Sequence, residues 1–168
     1  MTDAPERDRA AFERLVALID YPMFVVTAAD DDVRAGCLVG FATQVSIDPP
    51  RFLVCLSRQN HTFRVAQAGG QWLGVHFLRR EDEELGALFG GATGDEVDKF
   101  ASCAWEPGPA GVPILSACQN WFVGAVVDRL DLGDHEGFVL EPSRARQEAA
   151  GPDFSFHRAR RIEPGHQA

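Results

Sequence analysis

Residues 36–70, GCLVGFATQVSIDPPRFLVCLSRQNHTFRVAQAGG, decide the fold. An apolar strand opens the stretch and passes into the polar connection Thr43-Gln44-Val45-Ser46, which Asp48-Pro49-Pro50 brings to a stop. Two prolines in a row cannot donate ladder hydrogen bonds and push the preceding residue into extended geometry, so the first strand must end before Asp48. The chain re-enters the sheet at once. Phe52 to Leu56 is a continuous apolar run of strand length, the pattern of a strand covered on both faces. Directly behind it, Ser57-Arg58-Gln59-Asn60-His61-Thr62 gathers hydroxyl, amide and guanidinium groups where a helix begins, with Asn60 placed to cap it. A helix N-terminus offers unpaired N–H groups and the positive end of a dipole, so this corner suits a phosphate or another anion.

Working outward, Pro5 to Asp20 sets Phe12, Leu15, Val16, Leu18 and Ile19 along one helical stripe, predicting an amphipathic helix packed on the sheet; partner binding is the other reading of such a stripe. Pro22 to Thr27 is a strand, and Asp30-Asp31-Asp32 reads as a hairpin tip, since the glycine and closing glutamate of a calcium loop are missing. Past the helix at Thr62 to Ala68, which Gly69-Gly70 ends, Gln71 to Leu78 is another strand in which Gly74 permits close backbone approach. Glu81 to Phe89 is a helix, acidic in its first turn, that turns Leu85, Leu88 and Phe89 inward. Gly90 to Gly94 then reads as a mobile connection, because it follows a helix and lacks the strand and lysine of a phosphate loop. Lys99 is the only lysine of the chain. Trp105 to Pro113 is turn-dense and predicts a loop, Cys118 to Leu130 a long strand, Gly133-Asp134-His135 a tight turn and Phe138-Val139-Leu140 a return to the sheet. From Arg144 onward the text is charged and turn-rich, and Arg158, Arg160 and Arg161 make a basic patch that reads as a solvated tail or as a contact for dinucleotide phosphates.

The totals narrow the function. With 168 residues, 45% hydrophobic and 24% charged, the chain suits one globular domain over 1–168, comprising an N-terminal helix in 1–20 and a C-terminal extension in 144–168. A formal net charge of -9 argues against nucleic acid and anionic membrane surfaces as partners, and requires any phosphate seat to be locally positive, which draws attention to Arg58 and Arg64. Cysteines 37, 55, 103 and 118 form no C-x-x-C pair, so reduced structural thiols in a cytoplasmic protein are expected, with no metal site. No secretory signal or membrane-spanning run is apparent. Hydrolase signatures such as G-x-S-x-G and H-E-x-x-H are missing too, which suits an enzyme whose cofactor carries the chemistry.

The order T-Q-V-S-I-D-P-P (43–50), L-V-C-L-S (53–57), N-H-T-F (60–63), G-V-H-F-L (74–78), D-K-F (98–100), G-V-P-I-L (111–115) and G-D-H (133–135) resembles the flavin reductase-like, FMN-binding split-barrel proteins. The resemblance implies a mainly β fold with peripheral helices: a Greek-key split β-barrel, assembled as a homodimer with FMN, or FAD, near the subunit interface. It also implies NAD(P)H-dependent flavin oxidoreductase activity, with reduced flavin passed to a partner monooxygenase. By the same resemblance Thr43, Gln44, Val45 and Ser46 line the flavin ring edge. Ser57, Arg58, Asn60, His61 and Thr62 hold the ribityl chain and phosphate; His76, Phe77 and Lys99 approach the cofactor; and His135 is the catalytic-site side chain. Gln44 stands where relatives carry a small hydroxyl residue, His76 where an asparagine is commonest, and Phe154-Ser155-Phe156 is a rough equivalent of the C-terminal ring that closes the site. These departures motivate a second reading, a flavoprotein without reductase activity. A barrel binding haem or another planar ligand, or serving only as a dimeric interaction domain, is the third.

Overall fold

The structure, a computed structural model, describes residues 4–69 and 71–165. Helix α1 (Ala4–Val16) leads into a hairpin of β1 (Phe24–Asp30) and β2 (Val33–Val39), followed by β3 (Ala42–Ser46), β4 (Arg51–Ser57), α2 (His61–Ala68), β5 (Trp72–Phe77) and α3 (Glu83–Gly91). Short strands β6 (Trp105–Pro107) and β7 (Pro113–Leu115) precede the long hairpin of β8 (Asn120–Leu132) and β9 (His135–Gln147), and α4 (Phe156–Ala159) closes the described chain. Seven strands form one antiparallel sheet in the order β2-β1-β5-β8-β9-β4-β3, while β6 and β7 make a separate two-stranded ribbon. The sheet curls until β2 approaches β4, giving the partly open barrel expected from the sequence.

Its interior is filled by Val26, Cys37, Val54, Leu56, Val75 and Phe138, and α2 plugs it with Phe63, Val65 and Ala66. A second apolar layer lies on the outer face, where Val25 meets Leu85, Phe89, Phe100, Leu115 and Phe154. Two layers on opposite faces explain why β1 reads as an unbroken apolar run, whereas β4 buries Val54 and Leu56 in the interior and leaves Leu53 and Cys55 half-buried outside the second layer.

The ribbon is tied to the barrel by polar groups in the outer layer. Thr27 Oγ1 donates to the carbonyl of Pro113 at 2.8 Å, and Gly74 leaves room for that hydroxyl, which a Cβ there would overlap. His76, fully buried, donates from Nδ1 to the carbonyl of Val25 at 3.1 Å and accepts the amide of Leu115 on Nε2, also at 3.1 Å. The expectation that His76 approaches a cofactor is therefore corrected: both ring nitrogens are engaged by backbone, and the imidazole is a cross-brace. Phe77 points to the other face of β5, where it packs among Phe24, Phe52 and Phe122, and is likewise a core residue.

Four further expectations change. The stripe of α1 does not pack on the barrel: Phe12 and Leu15 are each 63% exposed, because α2, α3 and the C-terminal segment already cover the barrel's apolar surface. Residues 105–115 are not a plain loop but the β6–β7 ribbon, held by register from Trp105 opposite Leu115 to Pro107 opposite Pro113. Residues 144–147 continue β9, paired with β8 from Val123 opposite Arg144 to Asn120 opposite Gln147. The segment after it rejoins the body through bridges between Pro22 and Ser155 and between Arg79 and Asp153, with Phe154 fully buried. Asp31, at φ 48°, occupies the tight turn between β1 and β2 expected of the acidic triplet. The cysteines are unpaired, and no helix among the described residues is long and apolar enough to cross a membrane.

Burial drives the His76 pKa from 6.5 down to about 4. Between those values the unfolded chain binds the extra proton, so this group's contribution to stability is complete above pH 6.5 and is lost as pH falls toward 4. Urea titrations at pH 7 and pH 4.5 should show wild type losing roughly 2 to 3 kcal/mol more than a His76→Gln variant over that interval. Equal losses would remove His76 from this role.

Candidate functional site

Antiparallel pairing of β4 with β9 places Ser57 opposite His135, so the polar corner after β4 and the G-D-H turn face one another. Asn60 caps α2 as the sequence predicts, with extended φ and ψ of -76° and 139° and its side-chain oxygen accepting the Thr62 amide at 2.9 Å. Beside this corner two adjoining cavities of about 200 and 190 Å³ form one groove, sharing Met23, Cys37, Leu38, Asn60 and Phe156 as common wall. The first holds Ser57, His135, Tyr21 and Phe41; the second continues to Lys99, Thr93 and Arg160. Among the described residues, no aspartate or glutamate lines either cavity. In a chain with a formal net charge of -9 that is a selective exclusion of negative charge.

Aromatic rings bound the first cavity. Tyr21 stacks on Phe156 with centroids 4.7 Å apart and planes 15° from parallel, and Phe41 lies 5.3 Å from the His135 ring. Gly40 makes the stack possible, since a Cβ there would overlap the Tyr21 ring. Burial raises the Tyr21 pKa, keeping its hydroxyl neutral. His135 Nδ1 lies 2.7 Å from the Asp134 carboxylate, and that hydrogen bond holds the Asp134 pKa down. With Nδ1 as donor, the neutral ring keeps its lone pair on Nε2, the nitrogen left for a ligand.

The arginines expected to receive a phosphate are otherwise engaged. Arg58 donates to the carbonyl of Gly133, to Glu136 and to Asp131, at 3.1 Å in each case, clamping the β8–β9 turn to the end of β4. Arg64 pairs with Asp95, which His61 Nδ1 also meets at 3.1 Å. Asp95 thus carries the anion that the sequence led one to seek at this helix, and the Arg64 hydrogen bond depresses its pKa. The glycine-rich connection ahead of it is consequently latched to α2 rather than loose.

Other expected residues scatter. Thr62 is buried, and its hydroxyl meets the Cys37 thiol. Thr43 to Ser46 lie on β3, the last strand of the sheet, outside both cavities; Gln44 donates to the Ser46 carbonyl, and Val45 is half exposed. That free edge, with Thr43, Gln44 and Val45 exposed, is open to a ligand or to another chain. Lys99, in contrast, does reach the groove, with its ammonium 3.0 Å from the carbonyls of Gly36 and Phe89. Arg160, read from the sequence as part of a basic patch, lines the second cavity, whereas Tyr21 and Phe41 were missed. No spacing marks them, although Tyr21 is the only tyrosine of the chain.

If the Asp95 latch holds residues 92–98, an Asp95→Ala variant should exchange amide hydrogens there faster than wild type, with β4 and β9 unchanged. Unaltered exchange in the loop would show that the latch does not restrain it.

Residues 16–163 match the family model described as flavin reductase like domain. Curated relatives include a probable flavin reductase of Rhizobium meliloti, 32% identical over 66% of this chain, and the FMN reductase (NADH) RutF of Stutzerimonas stutzeri, 30% identical over 79% of this chain and 73% of its own. The reductase subunit HsaB of a flavin-dependent monooxygenase from Mycobacterium tuberculosis is 30% identical over 66% of this chain and 57% of its own. The match spans only 35% of the Rhizobium protein, so that relative is much longer. Among solved structures, the NADH:FAD oxidoreductase SgcE6 of Streptomyces globisporus superposes with a TM-score of 0.80 at 23% identity, over 93% of this chain and 91% of that one, which shows the fold. Barrel, motif order and family match agree, and the chain belongs to the flavin reductase like domain family.

Proposed function

We propose that this protein is an NAD(P)H-dependent flavin oxidoreductase that binds FMN, or FAD, in the groove between the Tyr21–Phe156 stack and the Phe41–His135 pair. The observation that carries the reading is the groove itself: aromatic and thioether walls for a planar ring, Ser57 and Asn60 at one side, and no carboxylate to repel an anionic ligand. These residues fit a flavin. Tyr21, Phe41 and Phe156 would flank its ring system, and Ser57 and Asn60 would meet its polar side chain.

When bound, the flavin supplies the two-electron chemistry, accepting a hydride from a reduced nicotinamide. Such a transfer asks the protein for stacking, alignment and exclusion of water rather than for a strong acid or base, in keeping with a site that offers one histidine and no carboxylate. His135, oriented by Asp134, contacts the ligand through Nε2. The motives for a flavoprotein without reductase activity weaken, since His76 lies in the core and the C-terminal segment is woven into the groove.

The site works in a homodimer, on this reading. Phe41, which lines the groove, is 57% exposed, and Ile47 beyond the free edge of β3 is 85% exposed, a face suited to a second copy beside the ligand. Delivery of reduced flavin to a separate monooxygenase is the physiological use we infer, supported by the resemblance to a monooxygenase reductase subunit. The unpaired cysteines support a reducing, cytoplasmic setting.

The protein should quench FMN fluorescence with a Kd of about 1 µM or tighter, and anaerobic NADH or NADPH should bleach the flavin absorbance. Tight binding without bleaching by either nucleotide would leave a flavoprotein that is not a reductase, and a Soret band would point to haem. Phe156→Ala should weaken FMN and riboflavin alike by roughly tenfold, the scale of one lost aromatic stacking contact. Ile47→Asp should shift the sedimentation of the protein toward the monomer; an unchanged dimer would place the interface elsewhere.

A further inference from the structure

We propose that Arg58 is a positioning residue for the Asp134–His135 pair, acting through the backbone of the β8–β9 turn rather than on a ligand. The inference rests on the flavin reading above, in which His135 meets the ligand, and names what aims the imidazole.

An exposed carboxylate is a poor guide on its own. The Asp134 side chain is 76% exposed, and water competes for each hydrogen bond that it makes. Its neighbour Gly133, at φ 85°, stands in the left-handed region of a tight turn, and glycine is the most freely rotating residue such a turn can hold. For Asp134 to keep the His135 ring in one orientation, the peptide groups on either side of it must be held first. Arg58 holds both. Its main-chain N–H donates to the carbonyl of Asp134 at 3.0 Å, and its Nε donates to the carbonyl of Gly133 at 3.1 Å. The Asp131 oxygen that receives Nη2 of Arg58 also accepts the Gly133 amide, at 3.2 Å, so the turn is closed from within as well.

The guanidinium is itself aimed. Nη1 donates to Glu136, which is only 9% exposed, while Arg129 stands 3.7 Å from the other oxygen of that carboxylate and donates to the carbonyl of Ala66 in α2 at 3.4 Å. A carboxylate buried between two guanidiniums is costly to disturb, because removing one partner leaves charge without compensation. The buried Phe63 ring, its centroid 5.7 Å from Cζ of Arg58, adds a cation–π contact. Three nitrogens of one planar fork thus meet three acceptors in fixed directions, an arrangement that a single ammonium cannot reproduce. Arg58 lines neither cavity of the groove, whereas His135 lines the first. What Arg58 does for a ligand therefore passes through the turn and its histidine.

The test uses the full-length protein as wild type, Arg58→Ala, Arg58→Lys, Asp131→Asn and Asp134→Ala. Nitrogen-15 spectra of the histidine side chains, assigned through His135→Gln and recorded without ligand at about pH 8.5 so that imidazoles are neutral, read the tautomer of His135. Wild type should carry the proton on Nδ1. Asp134→Ala should move it toward Nε2, and both Arg58 variants should follow, Arg58→Lys included, because geometry rather than charge is lost. Asp131→Asn should give a smaller shift in the same direction; that side chain is 83% exposed, so the variant decides the matter if those at Arg58 do not fold. Fluorescence titrations with FMN and riboflavin separate the rival role, a phosphate contact: the ratio of the two affinities should stay within about twofold of wild type in every variant. A wild-type tautomer in the folded Arg58 variants, or in Asp131→Asn should they not fold, overturns the proposal. So does FMN weakened about tenfold with riboflavin unchanged. Failure of wild type to bind either flavin would instead overturn the functional reading, and the tautomer result, which needs no ligand, tells the two failures apart.

Discussion

The register between β4 and β9 is the constraint on which the site depends. Phe52 to Ser57 run opposite Leu140 to His135 without a break, so the end of one strand and the start of the other arrive together. Side chains alternate across a strand, and a slip by one residue would drive Val54 and Leu56 out of the barrel while turning Cys55 inward. Burial of those two residues, exposed by 0% and 1%, therefore fixes the pairing, and the pairing fixes the distance between the polar corner and the G-D-H turn. The Arg58 clamp on Gly133, Asp131 and Glu136 reinforces the same juxtaposition from outside. Hydrophobic order inside the barrel thus sets the geometry of polar groups at its mouth.

Electrostatics divides the surface in a way that composition alone conceals. Acidic residues outnumber basic ones by 25 to 16, yet no acidic side chain lines the groove among the described residues. Carboxylates instead hold arginines in place around it, as Asp131 and Glu136 do with Arg58 and Asp95 does with Arg64. Arginine suits that work because its planar fork serves several acceptors at once. Among the described residues that line the groove, Lys99 and Arg160 are the ones with a fixed positive charge. Steering by the whole-protein field would oppose an anionic ligand, so recognition falls to short-range contacts within the cavity.

Much of this architecture was legible in the sequence because local signals and burial agreed. Pro49-Pro50 ended β3, the apolar run from Phe52 marked β4, and Asn60 announced the cap of α2. The identity of the barrel followed from the order of short motifs rather than from any one of them. What remained hidden depended on long-range pairing. His76 reads alike whether it faces a ligand or braces two backbone groups, since only the approach of Val25 and Leu115 distinguishes the two. An arginine beside a helix N-terminus reads as an anion seat until Asp95, far along the chain, is found already there. The strand character of residues 144–147 escaped because charge there reflects an exposed ladder, and β8 supplies the partner that composition cannot show.

The weave of the C-terminal segment across the groove has a consequence for biogenesis. Phe156 stacks on Tyr21, Ser155 bridges Pro22 and Phe154 receives the Met23 amide, so one wall of the groove comes from the start of the barrel and the facing wall from sequence made after every strand of the sheet. During synthesis the β-structure has all its strands before the groove has its second wall. The groove lacks its second wall until residues 154–162 have left the ribosome, so the cleft is the last part of the fold to be completed.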